Sequence, residues 1–291
     1  MWFGIVMGLL ASASWAAANV FIQRAGRAVG PFRALVWAQV AGGLAVAPFA
    51  WFLDQRVGHV DAGLAGWIAL ALSSAVLAYA SMFYAFERGR LSIVVPVMSS
   101  WSAIAAAISI GVLHEAVRRS QLAGGALVIA GVVLVARFAQ SERAGAATDG
   151  DPRRTRRALL ASVGAALGFG VLIPAIDRLA PVFGRLGAIP FVFAGELLLG
   201  LPLALAARIE LRPPPRGAWP VILLAGLFET AGFIWISLGV ARAPVAIVSP
   251  FAGLASAFTV LFAWIALHER PSPRLLTGAA LVCAGVVVLA L

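Results

Sequence analysis

The chain has 291 residues, of which 62% are hydrophobic and only 12% charged. That lies far outside the soluble range of roughly half apolar and a quarter charged, so most of the chain must face lipid or other helices. Its net charge of +10 comes from arginine alone, with no lysine, and the arginines sit in short gaps between apolar runs. They read as charges at a membrane surface rather than as a nucleic-acid footprint. The one cysteine, Cys283, lies inside an apolar run, which excludes a disulfide framework and a cysteine metal site.

A spanning helix needs about 20 predominantly apolar residues. Ten such runs follow in chain order, at 2–23, 34–53, 66–86, 91–113, 121–139, 158–176, 186–207, 219–240, 243–267 and 274–291. The first has no basic residue before Arg24, so it reads as a transmembrane helix and not as a cleaved signal. The longest polar stretch, 140–157, carries the cluster Arg153, Arg154, Arg156 and Arg157. It divides the chain into a first five-helix unit, 1–140, a linker, 141–157, and a second unit, 158–291.

The two units are related. Ile93-Val94-Val95-Pro96 returns as Ile247-Val248-Ser249-Pro250, and Leu113-His114-Glu115 returns as Leu267-His268-Glu269. Gly124 to Val133 returns as Gly278 to Val287, always at an offset of 154. A repeat with an odd number of spans enters its second copy from the opposite membrane side. The expected fold is therefore all-α, ten transmembrane helices in two inverted five-helix repeats, the architecture of transporters that alternate access to a midplane site.

These residues resemble the EamA-like members of the drug/metabolite transporter superfamily. The resemblance rests on Pro96 and Pro250, on Glu115 and Glu269 each 19 residues later, and on the glycine-rich helices that follow. It covers nearly the whole chain. It implies efflux or exchange of small metabolites through a central cavity lined by the first four helices of each half, with cytoplasmic termini. The arginines point the other way. With the N-terminus inside, the inner loops hold Arg56, Arg118, Arg119, Arg178, Arg185 and Arg242, and the outer loops the other sixteen of 22. The positive-inside rule thus favours both termini outside. Where the family usually has a glycine before the glutamate, this chain has His114 and His268.

Glu196 and Glu229 stand near the middle of their apolar runs, with no cation mid-span to neutralise them. A charge there costs at least about 2.5–3.5 kcal/mol, so these carboxylates should face the bundle interior. There they could exchange a proton for substrate or hold a cationic group. Ala225, Gly226, Gly232 and Phe233 share a face with Glu229 and make room either for a ligand or for a close helix approach. In the first helix Ser12, Trp15, Asn19 and Gln23 form one polar stripe that must turn inward. Its expected partners are Gln39, Tyr79, Tyr84, Ser99, Ser100 and Trp101. Of the stripe only Ser12 recurs, as Ser162, so the expected site is asymmetric. Pro96, Pro174, Pro190, Pro202 and Pro250 offer kinks, and Gly124 with Gly131, like Gly278 with Gly285, offers a helix seam.

The expected function is therefore a secondary transporter of small organic metabolites, an exporter working by alternating access with proton coupling. Its partners would be a small-molecule substrate, protons and the lipid bilayer of the cell membrane, with no nucleic acid, metal or cofactor, in a monomer or homodimer. The rival readings are a polytopic membrane enzyme, which would need a clustered nucleophile or metal set, and a channel or scramblase, which would need a continuous polar pore.

Overall fold

The computed structural model describes residues 2–53, 58–114, 152–255 and 273–290, with scattered positions between 120 and 134 and between 258 and 262. Among them every regular element is helical. The helices are α1 (Trp2–Val29), α2 (Pro31–Leu53), α3 (Ala62–Arg88), α4 (Leu91–Met98), α5 (Trp101–Gly111), α6 (Pro152–Phe183), α7 (Ala188–Ala206), α8 (Trp219–Val240), α9 (Val245–Gly253) and α10 (Pro273–Ala290). Among the described residues six helices are long and apolar enough to cross a membrane: α1, α2, α3, α6, α7 and α8. This is a multi-pass membrane protein.

Local chemistry explains the element ends. Asp61 caps α3, its Oδ1 accepting the Leu64 amide at 2.7 Å. The α1–α2 corner turns at Gly30, whose φ of +87 suits a residue without a Cβ. α7 closes on Arg208 at φ +53, with the Ile209 amide reaching back to the Ala204 carbonyl at 2.9 Å. The loop beyond it is tied to α2: the Arg33 guanidinium donates to the carbonyls of Arg212 and Pro213, each at 2.7 Å.

Four features differ from the sequence expectation. The run 91–113 is two helices, because the backbone breaks at Ser99 and Ser100. There the Ser100 amide bonds the Val97 carbonyl at 3.2 Å and Ser102 the Ser99 carbonyl at 3.3 Å, three residues back instead of four. The equivalent break ends α9 at Leu254, whose amide bonds the Phe251 carbonyl at 3.2 Å. Finally, the arginine cluster 153–157 lies in the first turns of α6, which opens at Pro152 and not at 158. Pro190 sits in the first turn of α7, where a missing amide costs nothing, so it makes no kink.

Close helix approach builds the core. A Cβ at Gly168 would meet the Ala78 backbone at 2.6 Å, and one at Gly164 the Ser81 hydroxyl at 2.9 Å, so α6 lies tight against α3. Gly4 packs on Ala243 and Val248, and Gly8 on Phe251 and Val248. Gln23 near the end of α1 donates to the carbonyls of Phe86 and Gly89 at the end of α3. α1 and α3 thus run one way and α6 and α8 the other. Gly124, Gly131, Gly278 and Gly285 are all buried, as a helix seam requires. Glu115, Glu269 and His268, and most of the run 121–139, lie outside the described residues.

Candidate functional site

The polar stripe of α1 does turn inward: Ser12, Trp15, Asn19 and Gln23 are all buried. Its members do different things. Ser12 Oγ donates to the Leu9 carbonyl at 2.8 Å, a bond within its own helix. Gln23 ties α1 to α3, as above. Trp15 and Asn19 instead reach the centre of the molecule and line a cavity there.

That cavity offers about 30 Å³ to the centres of water molecules. Its wall is supplied by α1, α3 (Met82), α4 (Val95, Met98), the break (Ser99), α5 (Trp101), α6 (Phe169, Ile173), α8 (Glu229) and Ala255 beyond α9. Both halves contribute, and both helix breaks border it. Glu229 brings the only ionisable side chain among the described lining residues. Trp15 Nε1 donates to the Glu229 backbone carbonyl at 3.2 Å, and its ring stands edge-on to Trp101 at 5.7 Å and Phe233 at 5.2 Å. Asn19 Nδ2 donates to Thr259 Oγ1 at 2.9 Å, joining α1 to the second half. The indole is held on three sides and fixes the width of the cavity beside the carboxylate.

Glu196 does not line that cavity, although it lies within electrostatic reach of Glu229. It is buried to 3% exposure, and its Oε2 accepts a hydrogen bond from Gln39 Nε2 of α2 at 3.0 Å. It lines a separate, apolar cavity between α2, α3 and α7. Between the two carboxylates stands Tyr79, fully buried and ringed by Phe169 at 5.1 Å, Phe193 at 5.9 Å and Phe233 at 6.3 Å. Its hydroxyl has no hydrogen-bond partner among the described residues, yet lies within electrostatic reach of Glu229, Glu196 and Gln39. This hydroxyl and the Gln39 amide are polar groups that adjoin the acidic positions among the described residues.

The small residues around Glu229 build close contact. A Cβ at Gly232 would collide with the Trp15 indole and one at Gly226 with the Ala38 carbonyl of α2. Of the remaining expected partners, Ser100 Oγ bonds the Val97 carbonyl at 2.8 Å, and Tyr84 carries the Arg88 guanidinium on its ring at 4.0 Å. Neither lines the central cavity. Sequence reasoning passed over Met82, Val95, Met98, Phe169 and Ile173, because apolar residues in an apolar run give no signal of facing a cavity.

Residues 2–137 and 156–291 each match the family model described as the EamA-like transporter family. The chain belongs to that family, within the drug/metabolite transporter superfamily. The two matches cover both halves, so the EamA-like repeat occurs twice here. A solved crystal structure aligns over 98% of this chain and 94% of its own, with a TM-score of 0.69 at 21% identity, a likeness of fold. No curated protein matches. His114 stands at φ +56, in the left-handed region that favours a residue without a Cβ.

Proposed function

We propose that this protein is a secondary transporter exporting small organic metabolites across the cell membrane, by alternating access and with proton coupling. The observation that carries this reading is Glu229: one carboxylate midway along α8, in a cavity walled by helices of both repeats. A membrane-buried carboxylate is expensive and is retained where it binds or moves charge. Here the charge is a substrate amine or a proton, with Trp15 and Trp101 as an aromatic wall for an organic body and Asn19 and Ser99 as neutral hydrogen-bonding groups.

In the described state the cavity admits only water-sized groups, so a metabolite requires it to widen. The helix breaks at Ser99–Ser100 and Leu254 are where backbone bonding is already weakened, and hinges of this kind absorb such a motion. Ten spans in two inverted repeats remain our reading of the topology. It is supported by the opposite directions of α1 and α6, and of α3 and α8, which hold equivalent places in the two repeats.

The test is uptake into proteoliposomes under an imposed pH gradient, comparing wild type with the Glu196→Gln, Glu229→Gln double variant. The gradient-driven component should vanish in the variant, and unchanged flux overturns the proton coupling. Orientation follows from a C-terminal reporter that fluoresces only in the cytoplasm. The arginine distribution leads us to expect darkness, and strong fluorescence reverses that assignment.

A further inference from the structure

The cavity beside Glu196 is the larger of the two, about 280 Å³ to water centres, near the lower end for small-ligand pockets. It shares no lining residue with the central cavity. Along α7 its wall is one helical stripe, Glu196, Leu197, Gly200, Leu201 and Ala204. Leu201 is 42% exposed on the outer surface of a membrane-length helix, so the wall continues onto the lipid-facing side. Every other residue lining the cavity is apolar or glycine, and Glu196 is its one charge.

We propose that this lateral cavity is a second binding site, which takes a lipophilic amine from the bilayer with Glu196 as its anion. The argument is charge complementarity. A carboxylate can accept about four hydrogen bonds, and Gln39 supplies one to Oε2. The chain has no lysine, and no ion pair among the described residues includes Glu196. An ammonium group supplies the missing counter-charge and donors at the inner end of the cavity. The apolar stripe receives the hydrocarbon body. A neutral lipid chain would fill the apolar walls but leave the acid unmatched. Gly200 widens the site, because a Cβ built there meets nothing within 4 Å.

This inference does not depend on transport through the central cavity, and one binding experiment separates them. Protein in phosphatidylcholine nanodiscs is titrated with tritiated 1-adamantylamine, with 1-adamantanol as a neutral competitor of the same shape. Wild type should bind the amine saturably, and the component that depends on Glu196 should survive in Glu229→Gln. Glu196→Gln should weaken it about tenfold or more, the loss of a charge-assisted hydrogen bond. Gly200→Leu, which fills the cavity one turn from the acid and keeps its charge, should weaken it similarly, while Gly200→Ala keeps it. Should Glu196→Gln fail to fold, the Gly200 pair decides alone. The proposal is overturned by an absence of saturable binding to wild type, by wild-type affinity in Glu196→Gln or Gly200→Leu, or by an alcohol that competes as well as the amine. Weakening by Glu229→Gln alone places the amine in the central cavity and also overturns it.

Discussion

Replacing Gly226 by alanine tests whether close approach of α2 and α8 holds Glu229 in the cavity. The new Cβ would overlap the Ala38 carbonyl oxygen, with the Ala38 carbonyl carbon and the Gly42 amide nitrogen both at 3.1 Å. All three are backbone atoms, so no rotamer change relieves the contact and the helices must separate. The contact is reciprocal, because a Cβ at Gly42 would meet Thr230 and the Gly226 carbonyl. Overpacking of this kind costs about 1–3 kcal/mol. In a membrane no hydrophobic gain offsets it, since lipid is as apolar as the helix surface. Glu229 lies three residues along the same face, so the separation should also lower gradient-driven flux. The control is Gly200→Ala, which meets nothing and should stay within about 0.5 kcal/mol of wild type. Unfolding free energies measured by steric trapping in bicelles should differ between the two variants by at least about 1 kcal/mol. Equal stabilities would refute the tight α2–α8 contact, and with it the account of how Glu229 is positioned.

Three further substitutions probe other links. Trp15→Phe removes the indole hydrogen bond to the Glu229 carbonyl, worth about 1 kcal/mol, and widens the cavity; the apparent KM in proteoliposome flux should rise while the protein still assembles. Gln39→Leu strands the Glu196 carboxylate and should cost about 1–3 kcal/mol in the same unfolding assay, whereas adding Glu196→Leu to it should recover most of the loss. His114→Gly relieves a left-handed residue at φ +56 and should stabilise by up to about 1 kcal/mol; a destabilised variant would mean that the imidazole makes a contact that matters more than the backbone.

Six of the spans, the twofold repeat and the inward turn of the α1 stripe were legible because each rests on local pattern. A 20-residue apolar run must cross or be buried, and Ser12, Trp15, Asn19 and Gln23 at helical spacing must share a face. The pairing of Glu196 with Gln39 joins residues 157 positions apart, and nothing in either run marks the other as its partner. For the same reason the two carboxylates read as one site, although α7 directs Glu196 to a lateral cavity and α8 directs Glu229 to the central one. The helix breaks were hidden differently. Pro96 and Pro250 signal irregular backbone, but the breaks fall four residues later, at Ser100 and Leu254, neither of which is a helix breaker. The arginines of 153–157 misled in the opposite sense, since charge suggested linker while arginine is a good helix former and Pro152 a good first residue.

The breaks also change what the repeat means. Ser100 and Leu254 are separated by the same 154 positions as the rest of the repeat, so each half carries the discontinuity at the same place. The two meet in space: a Cβ at Gly253 would lie 2.8 Å from Ser102 Oγ and 3.9 Å from the Ser99 carbonyl. Ser99 and Ala255, one on each side of this contact, both line the central cavity. Under the proposed alternating access, a tilt of α4 relative to α5 would be felt at the discontinuity in the other half, because the two are in contact there. Duplication supplies the paired joints. The departures from it, Glu229 from one repeat facing Trp15 and Asn19 from the other, supply the chemistry on which those joints would open and close.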